Sequence, residues 1–197
     1  MKKKVLFTAT VDSHILNFHT PYLKYFKDNG YEVHVATNGT EKIPYCDVKH
    51  TVSFERSPFR LNNLKARKQL KNIIDTEQFE IIHTHTPMGS VVTRLAALNA
   101  RKKFNTRVIY TAHGFHFYDG APVQNWLFFY PVEKYLARYT DTLITINQED
   151  YQRAKNKFKT RVEYVPGVGI DESKFKACTS RTNCHRMTWR LSEVFKT

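Results

Sequence analysis

Short β-branched and aromatic runs alternate along this chain with longer segments whose apolar positions recur every three or four residues. Val5 to Val11 predicts a buried first strand. A polar stretch from Asp12 leads into an amphipathic helix carrying Phe18, Tyr22, Leu23 and Phe26, stopped by Gly30. Tyr31 to Ala36 predicts a second strand and Val48 to Phe54 a weaker third. Leu61 to Thr76 sets Leu61, Leu64, Leu70, Ile73 and Ile74 among Lys, Arg and Asn, the pattern of a surface helix with one buried face. The alternation continues with a strand at Phe79 to His83, a helix from about Gly89 to Lys102 and a strand at Arg107 to Ala112. A helix around Trp126 to Tyr139, a strand at Thr142 to Ile146, a helix from Glu149 to Phe158 and a strand at Arg161 to Val165 follow.

Strands that alternate with helices are joined by crossovers, and crossovers make parallel strands covered by helices. The expected fold class is therefore α/β, a doubly wound, mostly parallel, Rossmann-like sheet occupying residues 1–171. From Asp171 onward the periodicity fades. Residues 172–197 are expected to be an irregular tail, with only a short helix conceivable at Trp189 to Phe195.

The 197 residues carry 31 Lys and Arg against 18 Asp and Glu, a net charge of +13, which favours anionic partners: nucleic acid, lipid headgroups or phosphorylated small molecules. Cys46, Cys178 and Cys184 have neither zinc-knuckle nor C-x-x-C spacing, in keeping with a reducing compartment. The basic start Lys2-Lys3-Lys4 runs into apolar residues, yet Thr8, Thr10, Asp12, Ser13 and His14 interrupt them too soon for a signal peptide. No apolar run reaches the roughly 20 residues of a spanning helix. The expectation is a cytoplasmic protein, peripheral at most to the inner face of the plasma membrane.

In such sheets ligands sit beyond the carboxyl ends of the strands, so the polar residues expected there are the candidates for chemistry. After the first strand come Asp12, Ser13, His14 and Asn17, whose loop opens a helix where backbone amides could hold a phosphate. Capping by Ser13 or Asn17 with solvated histidines explains the same loop equally well. The loop lacks the glycines of a dinucleotide fingerprint. His83 and His85, two residues apart at another strand end, point to one face if the strand runs through both. His113, Gly114 and His116 follow a third strand, and Gly114 permits backbone conformations closed to other residues. No carboxylate motif or tight ligand spacing accompanies these histidines, so neither metal nor cofactor is expected, and hydrogen bonding to an anionic substrate is the favoured chemistry. The turn Val165-Pro166-Gly167-Val168-Gly169-Ile170-Asp171 lacks a G-K-[ST] and reads as a loop.

Taken in order, several segments resemble the N-terminal domain of family-4 glycosyltransferases of the GT-B fold, closest to bacterial capsular and exopolysaccharide enzymes. They are Lys4-Val5-Leu6-Phe7-Thr8-Ala9-Thr10, His14-Ile15, Phe18-His19, Pro21-Tyr22-Leu23 and Gly30-Tyr31-Glu32-Val33-His34-Val35-Ala36. Ile82-His83-Thr84-His85-Thr86-Pro87, Tyr110-Thr111-Ala112-His113-Gly114-Phe115-His116-Phe117 and Val165 to Asp171 complete the set. The resemblance implies half of a retaining, nucleotide-sugar-dependent sugar transferase: this domain holds a lipid-linked or saccharide acceptor, and a second domain with a Glu-x7-Glu motif supplies most contacts to the nucleotide-sugar donor. It further implies that His113 contacts the reacting sugar or donor phosphate. Asp12, Ser13, His14 and Asn17 would lie beside the diphosphate and acceptor, with His83, His85 and His116 lining the acceptor side.

Only about two dozen residues follow the Val165 to Asp171 segment, so the expectation is a chain truncated before its donor domain and inactive alone. A split transferase completed by a separate donor half is the alternative. A basic module for anionic membrane surfaces is a third reading, and no motif supports sequence-specific nucleic-acid binding. Asn125 to Pro131, with Lys134 and Arg138, could meet a membrane interface. Burial of most of its aromatics against the sheet is expected instead, leaving Lys65, Arg67, Lys68 and Lys71 as the better headgroup contacts.

Overall fold

The computed structural model describes residues 2–167. The expected end of the last loop, Val168 to Asp171, the tail 172–197 with its helix at Trp189 to Phe195, and Cys178 and Cys184 lie outside the described residues. Seven strands form one sheet: β1 (Lys4–Val11), β2 (Glu32–Asn38), β3 (Val48–Thr51), β4 (Ile81–His85), β5 (Arg107–Ala112), β6 (Thr142–Thr145) and β7 (Arg161–Tyr164). Their order is β3-β2-β1-β4-β5-β6-β7 and every neighbouring pair is parallel. The chain therefore runs outward from β1 to β3, crosses back, and continues outward on the other side from β4.

Handedness of the crossovers turns this reversal into two faces. One face carries α1 (Asp12–Phe18) and α2 (Thr20–Asp28), which bury Ile15 and Leu23 against Val5, Phe7, Val33, Val35 and Ile81. The other carries α3 (Asn62–Glu77), α4 (Pro87–Ala96) and α5 (Leu98–Lys103), packed on Leu6, Ile82 and Val108. Farther along that face, α6 (Val123–Leu136) and α7 (Gln148–Lys157) enclose Phe117, Leu143 and Phe158. Alternate residues of β1 and β4 thus enter different cores, as the two-residue period of a strand requires.

Two expectations need correction. The polar stretch from Asp12, expected to lead into a helix, is itself helical as far as Phe18, and a break at His19 separates it from α2, which keeps Leu23 on the sheet but leaves Tyr22 exposed. The stripe that α3 buries is Asn63, Ala66, Leu70 and Ile74, whereas Leu61 is 81% exposed and Leu64 is also turned to solvent. Spacing of three or four residues admits either stripe. As expected, most aromatics of Asn125 to Pro131 pack inward: Trp126, Phe129 and Tyr130 lie on the third core cluster, while Phe128 faces outward with Val123, Leu127, Val132 and Tyr135.

A buried ion pair ties α4 to α6. Arg94 donates from Nη2 to Glu133 Oε2 at 2.8 Å and from Nε to the Ser90 carbonyl at 3.1 Å, with its guanidinium 4.5 Å from the Tyr110 ring centre. Both partners are buried, so removing one strands the other's charge. Arg94→Ala is predicted to lose about 3–5 kcal/mol of unfolding free energy in urea titrations. The double variant Arg94→Met with Glu133→Leu should recover most of that loss.

Candidate functional site

The carboxyl ends of β1 and β4 flank the point where the strand order reverses, and the candidate residues collect there. β1 delivers Thr10 and Asp12 with α1 behind them, β4 ends in His83 and His85, and β5 leads into His113. In parallel sheets this reversal opens a crevice because the flanking connections leave toward opposite faces. A cavity of about 520 Å³ lies at the opposite, amino-terminal edge, beside Lys2, Lys3, Lys4, Glu80 and Arg107, and holds none of these histidines.

Five imidazoles form one cluster. His14 and His113 approach with their Nε2 atoms 3.3 Å apart. His19 stacks on His85 with ring centres 3.6 Å apart, and His83 lies 4.2 Å from His85. Phe7 closes the floor, 5.3 Å from His83 and 6.1 Å from His85. His83 and His85 share a face, as their period of two requires, and His83 Nε2 is held at 2.8 Å from Thr111 Oγ1. Burial lowers the pKa of His113 to about 4. Burial, with repulsion from His113, lowers His83 to about 3, and burial with His113 and Arg56 lowers His14 to about 3. Burial also drives His19 and His85 well down. At neutral pH the cluster is therefore a set of neutral imidazoles, each offering one donor and one acceptor nitrogen.

The other expected residues fall elsewhere. Ser13 and Asn17 are exposed on α1, and neither caps it: the N-cap is Val11, with no side-chain bond. Asp12 is buried with its carboxylate turned inward, accepting from Lys49 Nζ at 2.6 Å, from the Glu41 amide at 2.9 Å and from the Thr37 hydroxyl. Its chemistry is to pin the segment after β2 against α1. Gly39 is required beside it, since a Cβ there would collide with the carboxylate. Gly114 has φ +127 and His116 is exposed, its ring against Phe129 at 4.8 Å.

His19 belongs to the cluster although the sequence pattern did not single it out as a site residue. The available signal was its pairing with Phe18 at the end of a seven-residue helix. Thr86 is a second such residue. It takes φ 62, strained for a β-branched side chain, between β4 and α4. Its Oγ1 accepts from the Thr10 amide at 3.2 Å, and a Cβ on Gly89 would meet that oxygen at 2.5 Å. Thr86 and Gly89 thus hold the end of β1 close to the start of α4.

A family model described as Glycosyl transferase 4-like matches residues 4–147. The chain belongs to the glycosyl transferase 4-like family. It is 53% identical over 178 residues to "Putative glycosyltransferase EpsD" of Bacillus subtilis (strain 168), an alignment covering 89% of this chain and 46% of that protein. Among solved structures, sucrose-phosphate synthase from Thermosynechococcus elongatus superposes with TM-score 0.61 at 12% identity, over 93% of this chain and 53% of that one. Anabaena Alr3699/HepE in complex with UDP and glucose superposes with TM-score 0.57 at 16% identity, over 96% and 50%. These two likenesses establish the shared α/β fold, that of GT-B N-terminal domains. The family member described here spans about half the length of the relatives it matches.

Burial raises the Asp12 pKa, but Lys49, Thr37 and the Glu41 amide together outweigh it and leave the carboxyl below its usual value. A lowered folded pKa stabilises above the unfolded value of about 4 and ceases to do so as pH falls through the folded value. Asp12→Asn is therefore predicted to cost about 1.5–3 kcal/mol at pH 7, with the deficit shrinking as pH approaches 3 in urea unfolding curves.

Proposed function

We propose that this chain is the acceptor-binding half of a retaining, nucleotide-sugar-dependent sugar transferase of surface polysaccharide synthesis. One domain, residues 1–171, holds a lipid-linked or saccharide acceptor at the β1–β4 edge, and a partner domain brings the nucleotide-sugar donor to the same edge. The observation that carries this is the cluster of five imidazoles at the switch point, in a chain of this family. A sugar transfer that passes through an oxocarbenium-like state and expels a diphosphate needs positioned hydrogen-bond donors more than a protein nucleophile. His113 and His14, half-buried at the rim, are the groups within reach of a ligand, and His113 is assigned the contact to the reacting sugar or donor phosphate. His83 and His85 shape the acceptor side from behind.

The outward face of α6 supports a membrane-side acceptor. Leu127 and Phe128 are exposed next to Tyr135, Lys134 and Arg138, the pairing of apolar and basic groups that suits an anionic interface. Among the described residues no helix is long and apolar enough to cross a membrane, so contact would be peripheral.

The test is calorimetric titration of the 197-residue chain with nucleotide sugars and with a lipid-diphosphate acceptor analogue in anionic vesicles, alongside a sugar-transfer assay. The acceptor analogue should bind, and His14→Ala should weaken it by about tenfold or more, the worth of a hydrogen bond to a charged group. No transfer should occur with the chain alone. Turnover by the chain alone, or donor binding without acceptor binding, would overturn the assignment.

A further inference from the structure

Four of the clustered imidazoles come from separate places in the chain: His14 inside α1, His19 between α1 and α2, His85 at the end of β4 and His113 beyond β5. One ring nitrogen from each lies within 4.8 Å of those from the other three. His19 and His85 are 1% and 0% exposed, and all four of their ring nitrogens lack a hydrogen-bond partner. An unpaired buried polar group is costly, and here two entire imidazoles are unpaired side by side.

We propose that His14, His19, His85 and His113 bind a divalent transition-metal ion of the zinc class. The four sites of a tetrahedral zinc with Zn–N distances of about 2.0–2.1 Å lie about 3.3–3.4 Å from one another. The His14 and His113 Nε2 atoms already stand at that separation, 3.3 Å. The His19 and His85 rings are stacked at 24° and must tilt apart before both lone pairs reach one ion. Imidazole nitrogens suit zinc, copper and nickel, and the absence of oxygen from the ligand set disfavours magnesium and calcium. Four protein ligands would complete a tetrahedral shell, the closed geometry of a structural site.

The second grouping of metal-ligating residues has a different character. At Glu32, His34 and Glu77, Lys4 Nζ stands 2.6 Å from Glu77 and 3.8 Å from Glu32, supplying the positive charge. Both ring nitrogens of His34 are engaged, by His50 at 2.9 Å and Glu32 at 2.7 Å. Among the described residues, the buried side-chain nitrogens without a partner are those of His19 and His85.

The proposal reverses the expectation of a metal-free cluster and does not rest on the acceptor-half assignment, because it is tested without sugar or acceptor. The 197-residue chain, stripped with chelator, would be titrated with Zn²⁺ against a chromophoric competitor, and with Co²⁺ followed in the visible spectrum. About one equivalent per chain should be retained, and Co²⁺ should give the intense bands of four-coordinate geometry. His14→Ala and His113→Ala, at half-exposed positions that leave the packed floor intact, should each weaken retention by about tenfold or more. His50→Ala should leave it unchanged, and circular dichroism would verify folding of each variant. Failure to retain an equivalent, weak six-coordinate Co²⁺ bands, or retention unaffected by both His14→Ala and His113→Ala would overturn the proposal.

Discussion

Seven parallel strands can be joined only by connections that cross from one end of the sheet to the other, and the reversal of their order between β1 and β4 governs everything else in this molecule. It sends α1 and α2 to one face and α3, α4 and α5 to the other. It also leaves the carboxyl ends of two central strands side by side with no helix passing directly over them. Polar residues that end separate strands far apart in sequence are thereby gathered at one edge. The histidine cluster is the consequence: 99 residues of chain separate His14 from His113, and the topology brings them into contact.

Unpaired buried polarity concentrates at that edge. Thr86 sits at positive φ, Gly39 and Gly89 are needed for close approach, and His19 and His85 are buried without partners. Away from it the local choices agree with the fold. Asp150 and Asn147 cap α7 reciprocally, and Arg101 bridges to Asp141, which accepts the Val108 amide. Buried imidazoles left unpaired at one edge of a fold whose other buried polar side chains are mostly paired are what a ligand-binding site looks like physically.

Much of this was legible in the chain. Strand identities and the parallel α/β class follow from β-branched runs alternating with helical periodicity, because buried strands and amphipathic helices have different periods. The shared face of His83 and His85 follows from the same rule. Less accessible was whatever depends on contacts distant in sequence. Asp12 looked like a ligand group until Lys49 and Glu41, more than two dozen positions away, were seen to occupy its oxygens. His19 was hidden because the break between α1 and α2 rotates it inward, and a continuous helix would have placed it otherwise. On α3 the period allowed Leu61 and Leu64 to be read as core, whereas the helix turns Asn63, Ala66, Leu70 and Ile74 to the sheet.

The central claim is that the histidine-lined edge between β1 and β4, and not the basic cavity at the other end of the sheet, receives the ligand. The most direct measurement is the ring nitrogen–proton NMR spectrum of the histidines during titration with a lipid-diphosphate acceptor analogue. The account predicts saturable shifts at His14 and His113, with His34 and His50 unmoved. Unchanged His14 and His113 signals, with backbone shifts centred on Lys2, Lys3 and Arg107, would contradict it.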